Sequence, residues 1–185
     1  MMPTSGTFPD IYESLDTARL LAAFEAGPAI IRGLVQRLDD AALDARPIDG
    51  KWSIRQIAVH VVDSELVGAV RFRMVLAEPG GALPFYDQDV WARELRYQEA
   101  DERALAGHLA LFAALRERSI GILRGLDEGD WRKRGVHAEH GSVTLRQLLE
   151  LYADHSERHA QQIVERRRLL GIETSHTALL PERLY

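Results

Sequence analysis

Apolar residues recur at three- and four-residue intervals over four long stretches of the chain, and no segment alternates convincingly with period two. The pattern predicts a first helix from about Leu15 to Leu38, with Leu20, Leu21, Phe24, Ile31, Leu34, Val35 and Leu38 on its apolar side. Gly27-Pro28 interrupts that helix and should kink it or cost a turn, because proline offers no amide hydrogen to the preceding turn. A second helix is expected from Ser53 to about Ala77 and a third from about Asp101 to Leu126. The fourth runs from Thr144 to Leu170 and is stopped by Gly171. Residues 79–98 form a long connection between the second and third helices, with a short helix expected near Gln88 to Arg96.

Two parts of the sequence repeat. Ser53-Ile-Arg-Gln56-Ile matches Thr144-Leu-Arg-Gln147-Leu, and both continue to an aspartate ten residues on, Asp63 and Asp154. Each opening reads as a capping box, the hydroxyl accepting from the N3 amide while the glutamine reaches back to the cap. Upstream, Leu38-Asp39-Asp40 matches Leu126-Asp127-Glu128, each starting a short helical turn. One helical hairpin cannot bury its own apolar stripe, but two packed together can. The expectation is an all-α four-helix bundle in one domain over residues 1–185, with its core in about 15–170. The long 79–98 segment has room to cross the bundle between the halves.

The charge of −5 argues against a nucleic-acid binder that works by neutralising phosphates. The basic run Arg166-Arg167-Arg168 falls in the last turn of the fourth helix, where cations complement the helix dipole. Without cysteine, disulfides, thiolate metal ligands and a protein thiol nucleophile are excluded. No apolar run is long enough for a transmembrane span, and residues 1–10 lack the features of a secretory signal, so the expected location is cytoplasmic.

The seven histidines carry the candidate chemistry. His155 and His159, spaced i, i+4, share a helix face, either converging on an ion or making ordinary hydrogen bonds. His60 lies in an apolar run on the matching helix of the other repeat, where a buried imidazole needs a partner. Three histidines with an open fourth position are the pattern of a catalytic rather than a structural metal site. Asp63 and Ser64 share the face of His60, as supporting groups or a fourth ligand, or simply as surface residues. Glu157 stands about 200° round the helix from His155, so it should point away from the ion. His137 and His140 fall in a predicted loop and are expected to be solvated, and His108 and His176 fit no pattern. A nucleophile elbow, a phosphate loop, a dinucleotide fingerprint and the Glu-x-x-His pairs of di-iron bundles are all absent.

The segment from Lys51-Trp52-Ser53 through His60 to Asp63-Ser64-Glu65 resembles the opening of the DinB/YfiT-like superfamily. The segment from His137 through Thr144, Asp154-His155 and His159 to Ile163 resembles its close, and Tyr86-Asp-Gln-Asp89-Val-Trp91 its middle. The resemblance implies an up-down-down-up bundle with a metal on His60, His155 and His159, and imidazole ligands suit a divalent ion, Zn, Ni or similar. Members are described as metal-dependent hydrolases or as transferases of low-molecular-weight thiols, notably bacillithiol S-transferases. A related mycothiol-using branch tends to carry a carboxylate where this chain has His155, so the all-histidine set leans towards the bacillithiol type.

The leading expectation is therefore a thiol S-transferase in which the metal holds a small thiol as thiolate. Hydrolysis by a metal-activated water is the first alternative, and a non-enzymatic metal-binding bundle the second. The partners expected are a small-molecule substrate, in the leading reading a low-molecular-weight thiol, and a second copy in a homodimer, with neither nucleic acid nor membrane. Phe85, Tyr86 and Trp91 of the 79–98 connection are expected either to shape the open end of the site or only to anchor the crossover.

Overall fold

The computed structural model of the protein describes residue 12 and residues 14–181. Its long helices are α1 (Thr17–Val35), α3 (Ile54–Ala77), α5 (Glu102–Leu123) and α7 (Leu145–Leu169). Between them lie the short helices α2 (Asp40–Asp44), α4 (Gln88–Glu94) and α6 (Glu128–Trp131), and a 3₁₀ turn over Tyr97–Glu99. Both predicted capping boxes are present. Ser53 accepts from the Gln56 amide and Thr144 from the Gln147 amide, with the glutamine side chains returning to the cap amides. Asp39 and Asp127 cap α2 and α6, the two short turns the repeat implied.

The helix directions follow from the residues that meet. Arg146, at the start of α7, bonds Thr17 and the Leu15 carbonyl at the start of α1. Arg167, at the end of α7, reaches the Leu34 carbonyl at the end of α1, so the two helices run parallel. Arg55 reaches the Ala100 carbonyl just before α5, and further along Glu65 meets Arg116, so α3 and α5 are parallel too. Along α1 and α5 the order reverses, Glu25 meeting Arg124 while Arg32 and Val35, further along α1, share a groove with Leu105 and Leu109 near the start of α5. The result is an up-down-down-up four-helix bundle in which α1 packs on α5 and α7, and α3 on the same two helices.

The four helices meet on one buried cation. Arg116 donates to the Phe24 carbonyl of α1 and to the Tyr152 carbonyl and Ser156 hydroxyl of α7, and its Nε stands 2.7 Å from Glu65 of α3. The Phe24 carbonyl is the group that Pro28 leaves without a helical donor, since residue 28 has no N–H to offer four positions back. Gly27 keeps the approach clear, because a Cβ there would stand 3.0 Å from both Arg116 Nη1 and Ser156 Oγ. Of the expected outcomes at Gly27-Pro28, a kink or a lost turn, the lost turn does not occur. The helix is continuous through Pro28, and a side chain from α5 supplies the missing donor.

One element departs from the all-helical pattern. β1 (Arg134–His137) and β2 (Gly141–Thr144) form an antiparallel hairpin ahead of α7. The 79–98 connection folds onto β1, with Gly80 N–H donating to the Arg134 carbonyl, Leu83 N–H to Val136, and Val136 N–H to Gly81.

Candidate metal centre

His60 sits at the end of the second turn of α3, and His155 and His159 lie one turn apart on antiparallel α7. The two helices approach closely at Gly68, where an added Cβ would stand 2.4 Å from the Tyr152 ring. At this seam the three imidazoles converge. His155 Nε2 stands 3.1 Å from His60 Nε2 and 3.1 Å from His159 Nε2, and the ligand atoms of all three lie within 4.8 Å of one another.

Three ring nitrogens aimed at one point are a poor hydrogen-bonding arrangement. His155 Nε2 can donate to or accept from one neighbour through its single proton or lone pair, not serve both well. A cation fits better. Nitrogens about 2.0–2.1 Å from an ion at tetrahedral angles stand roughly 3.3–3.4 Å apart, close to the separation seen. His159 Nδ1 lies 3.0 Å from Gln162 Oε1, so the amide oxygen takes the Nδ1 proton and leaves the Nε2 lone pair turned inwards. The His60 ring packs against Trp52 at 4.8 Å between centroids, and its buried Nδ1 has no partner among the described residues.

Burial is the main cause holding all three imidazoles neutral. It lowers His60 to about 4, helped by Arg158, and His159 to about 3, helped by His60 and opposed by the Gln162 hydrogen bond. His155 is lowered well below its ordinary value by burial and then by its two neighbours. Neutral imidazole is the form that binds a metal.

The other candidates separate. Asp63 stays outside the three-histidine group and accepts from the Tyr97 hydroxyl at 2.6 Å. Its counterpart in the repeat, Asp154, likewise accepts from the Tyr12 hydroxyl, at 2.7 Å. Ser64 lines the cavity beside the centre. Glu157 faces away from the histidines, as its position predicts, and pairs with His176 at 2.7 Å. His108 bonds the Ala104 carbonyl of its own helix.

His137 and His140 are a correction. His137 is buried at 4% exposure and the two rings stack 4.7 Å apart, instead of lying in solvent. The cause is the β1–β2 hairpin, which turns His137 inwards and is roofed by the 79–98 connection.

Beside the histidines opens a cavity of about 430 Å³, lined by His155, Tyr152, Arg71, His137, Tyr86 and Phe85. Two of the three aromatics expected there line it. Trp91 instead lies behind Tyr86, 4.5 Å between centroids with the rings tilted by 42°, and packs on the core. Sequence reasoning passed over Trp52, Arg71 and Gln162. The Gln162 signal was available, since i+3 from a ligand is where a helix places a supporting side chain.

Bundle topology and converging histidines together define a class, the helical bundles built to gather imidazoles at the seam of two repeats. The chain belongs to the DinB superfamily, whose sequence model matches residues 23–163. It is 31% identical over 152 residues to a Bacillus subtilis protein named "Putative metal-dependent hydrolase YfiT", covering 82% of this chain and 84% of that one. A Bacillus cereus protein named "Putative metal-dependent hydrolase" is 29% identical over 163 residues, 88% of this chain and 91% of its own. The solved structure of B. subtilis YfiT, described as having "an unusual four-helix bundle topology", superposes with a TM-score of 0.81 at 29% identity, covering 91% of this chain and 96% of that one. A mycothiol-dependent maleylpyruvate isomerase shares the fold at a TM-score of 0.64 and 16% identity, covering 85% of this chain and 63% of that one.

Proposed function

We propose that this protein is a metal-dependent enzyme that holds a divalent ion on His60, His155 and His159 and transfers a small thiol to an electrophile. The observation that carries the metal is the convergence of three Nε2 atoms, on buried His60 and His159 and half-buried His155, with two contacts of 3.1 Å sharing His155. The relatives named as metal-dependent hydrolases support the same ion. When bound, the ion supplies a positive charge that favours a thiolate at neutral pH.

The chain's own residues do the rest. Gln162 fixes the His159 tautomer, and Trp52 packs the His60 ring in place. Tyr152, 2% exposed and bonded by Arg71, keeps its proton, burial pushing its hydroxyl far above the ordinary value. Phe85 and Tyr86 wall the cavity and limit water. Among the described residues no carboxylate joins the histidine group, which favours a nucleophile acidic enough to ionise without a neighbouring base. A thiol meets that condition more easily than water. Hydrolysis, with water in place of the thiol, is the second reading and is favoured by the relatives' names.

The test begins with elemental analysis of purified protein and of His155→Ala. One divalent ion per chain is expected in the first and none in the second, with helical circular dichroism retained. Conjugation of a small thiol to an electrophile should then need the metal and stop on chelation. Ester hydrolysis without a thiol, at a rate unchanged by adding one, would establish the second reading instead. Full activity in metal-free protein would remove both.

A further inference from the structure

Four arginines are buried among the described residues: Arg55, Arg71, Arg116 and Arg166. Three have a carboxylate partner, Arg55 with Asp40 and Asp44, Arg116 with Glu65, and Arg166 with Glu165. Arg71, 5% exposed, pairs with no carboxylate among the described residues. Its Nε and Nη2 donate to the Pro84 carbonyl and its Nη1 to the Tyr152 hydroxyl, both neutral acceptors. A guanidinium has five N–H donors, so one remains on each Nη nitrogen. A buried cation without an anion is costly, and this one lines the cavity beside His155.

A second donor faces the same cavity. The Glu139 amide donates to His137 Nδ1 at 3.2 Å, which places the His137 proton on Nε2. Burial, reinforced by Arg71, keeps this imidazole neutral by lowering it to about 4, so Nε2–H persists at neutral pH. The same tautomer argues against a second metal on His137, Glu139 and His140, since a ligating Nε2 would have to be bare. The carboxylates lining the cavity, Asp87, Asp89 and Glu139, are all exposed and stand towards solvent.

We infer that Arg71 and His137 form the binding site for a carboxylate on the substrate, placing its reacting end beside the three histidines. The planar fork of Arg71 matches the two oxygens of a carboxylate, and the substrate supplies the anion the protein leaves out. The inference specifies the substrate class of the function proposed above and rests on that reading for its role. The binding site itself is independent of the metal.

The test uses metal-free full-length protein with benzoate as probe, benzamide as its uncharged isostere and inorganic phosphate as a rival anion. Benzoate should bind saturably and shift the Arg71 Nε–H resonance, while benzamide at equal concentration leaves it in place. Arg71→Gln should weaken benzoate at least about tenfold, the scale of one lost charged hydrogen bond. Arg71→Lys, which keeps the charge without the fork, should weaken it several-fold, and His137→Phe likewise. If Arg71→Gln fails to fold, the lysine and phenylalanine variants carry the comparison. Unchanged benzoate affinity in the folded variants, equal binding of benzamide, or tighter binding of phosphate would overturn the inference. Metal content measured on the same variants reports separately on the ion site, so either idea can fall without the other.

Discussion

Replacing Pro28 with alanine gives back the one helical hydrogen bond that α1 lacks, and its effect should depend on Arg116. At present the Phe24 carbonyl accepts from Arg116 Nη1 because residue 28 has no N–H. Removing Arg116 alone would strand Glu65, which is 1% exposed, at a cost of about 3–5 kcal/mol. The cycle is therefore built in a Glu65→Gln background, where no lone carboxylate is left. There, Arg116→Met orphans the Phe24 carbonyl, a loss of roughly 1–3 kcal/mol for a buried acceptor. Pro28→Ala adds an amide that satisfies it. With Arg116 present the same amide meets a carbonyl already bonded, and its benefit is smaller. The helix-propensity gain of Pro28→Ala, about 3 kcal/mol, is common to both arms and cancels. The expected coupling is thus about 1–2 kcal/mol, with Pro28→Ala more stabilising when Arg116 is methionine. Urea unfolding of the four metal-free proteins, followed by circular dichroism at a common temperature, measures it. Equal effects of Pro28→Ala in the two arms, within the roughly 0.3–0.5 kcal/mol scatter of independent sites, would refute the reasoning.

Other outcomes follow from features already described. Ser53→Ala and Thr144→Ala should each cost about 1 kcal/mol in the same unfolding assay, since each removes one half of a capping box. Gly107→Ala, with nothing within 4 Å of the new methyl, should stabilise by about 0.5–1 kcal/mol, whereas Gly68→Ala meets the Tyr152 ring at 2.4 Å and should destabilise. The same sign in both would show that the seam between α3 and α7 is softer than the geometry requires. Metal-free protein should lose stability as pH falls from 6.5 towards about 4. In that window the unfolded chain protonates His137, while the fold, whose burial lowers this imidazole to about 4, does not. Midpoints of His137→Phe should therefore fall less steeply over that range than those of the parent.

The parts legible in the sequence are those set by local rules. Ser53 with Gln56 and Thr144 with Gln147 announce two helix starts, because cap and return bond lie within four residues. The ends of α7 were readable for the same reason, with Gly171 just beyond it at a φ of 71°. His60, His155 and His159 could be singled out because the repeat sets two helices in equivalence and i, i+4 spacing sets one face. The hairpin was not legible. Its strands are four residues each, too short for a period-two signal, and β1 is held by the distant 79–83 backbone. That pairing also buries His137 against a loop reading. Arg71 was hidden for a related reason, since its lack of a carboxylate is a fact about every neighbour at once.

The histidines stand on α3 and α7, deep in the bundle, while much of the cavity wall comes from the 79–98 connection and the β1–β2 hairpin. On the proposed function, chemistry and selectivity are thus written on separate stretches of chain. Changes at exposed Phe85, Asp87 or Gln88 reshape what can enter without disturbing helix packing around the imidazoles. A lineage built on this plan is free to exchange one guest molecule for another through drift in a surface segment, while its core stays under a different and stricter selection.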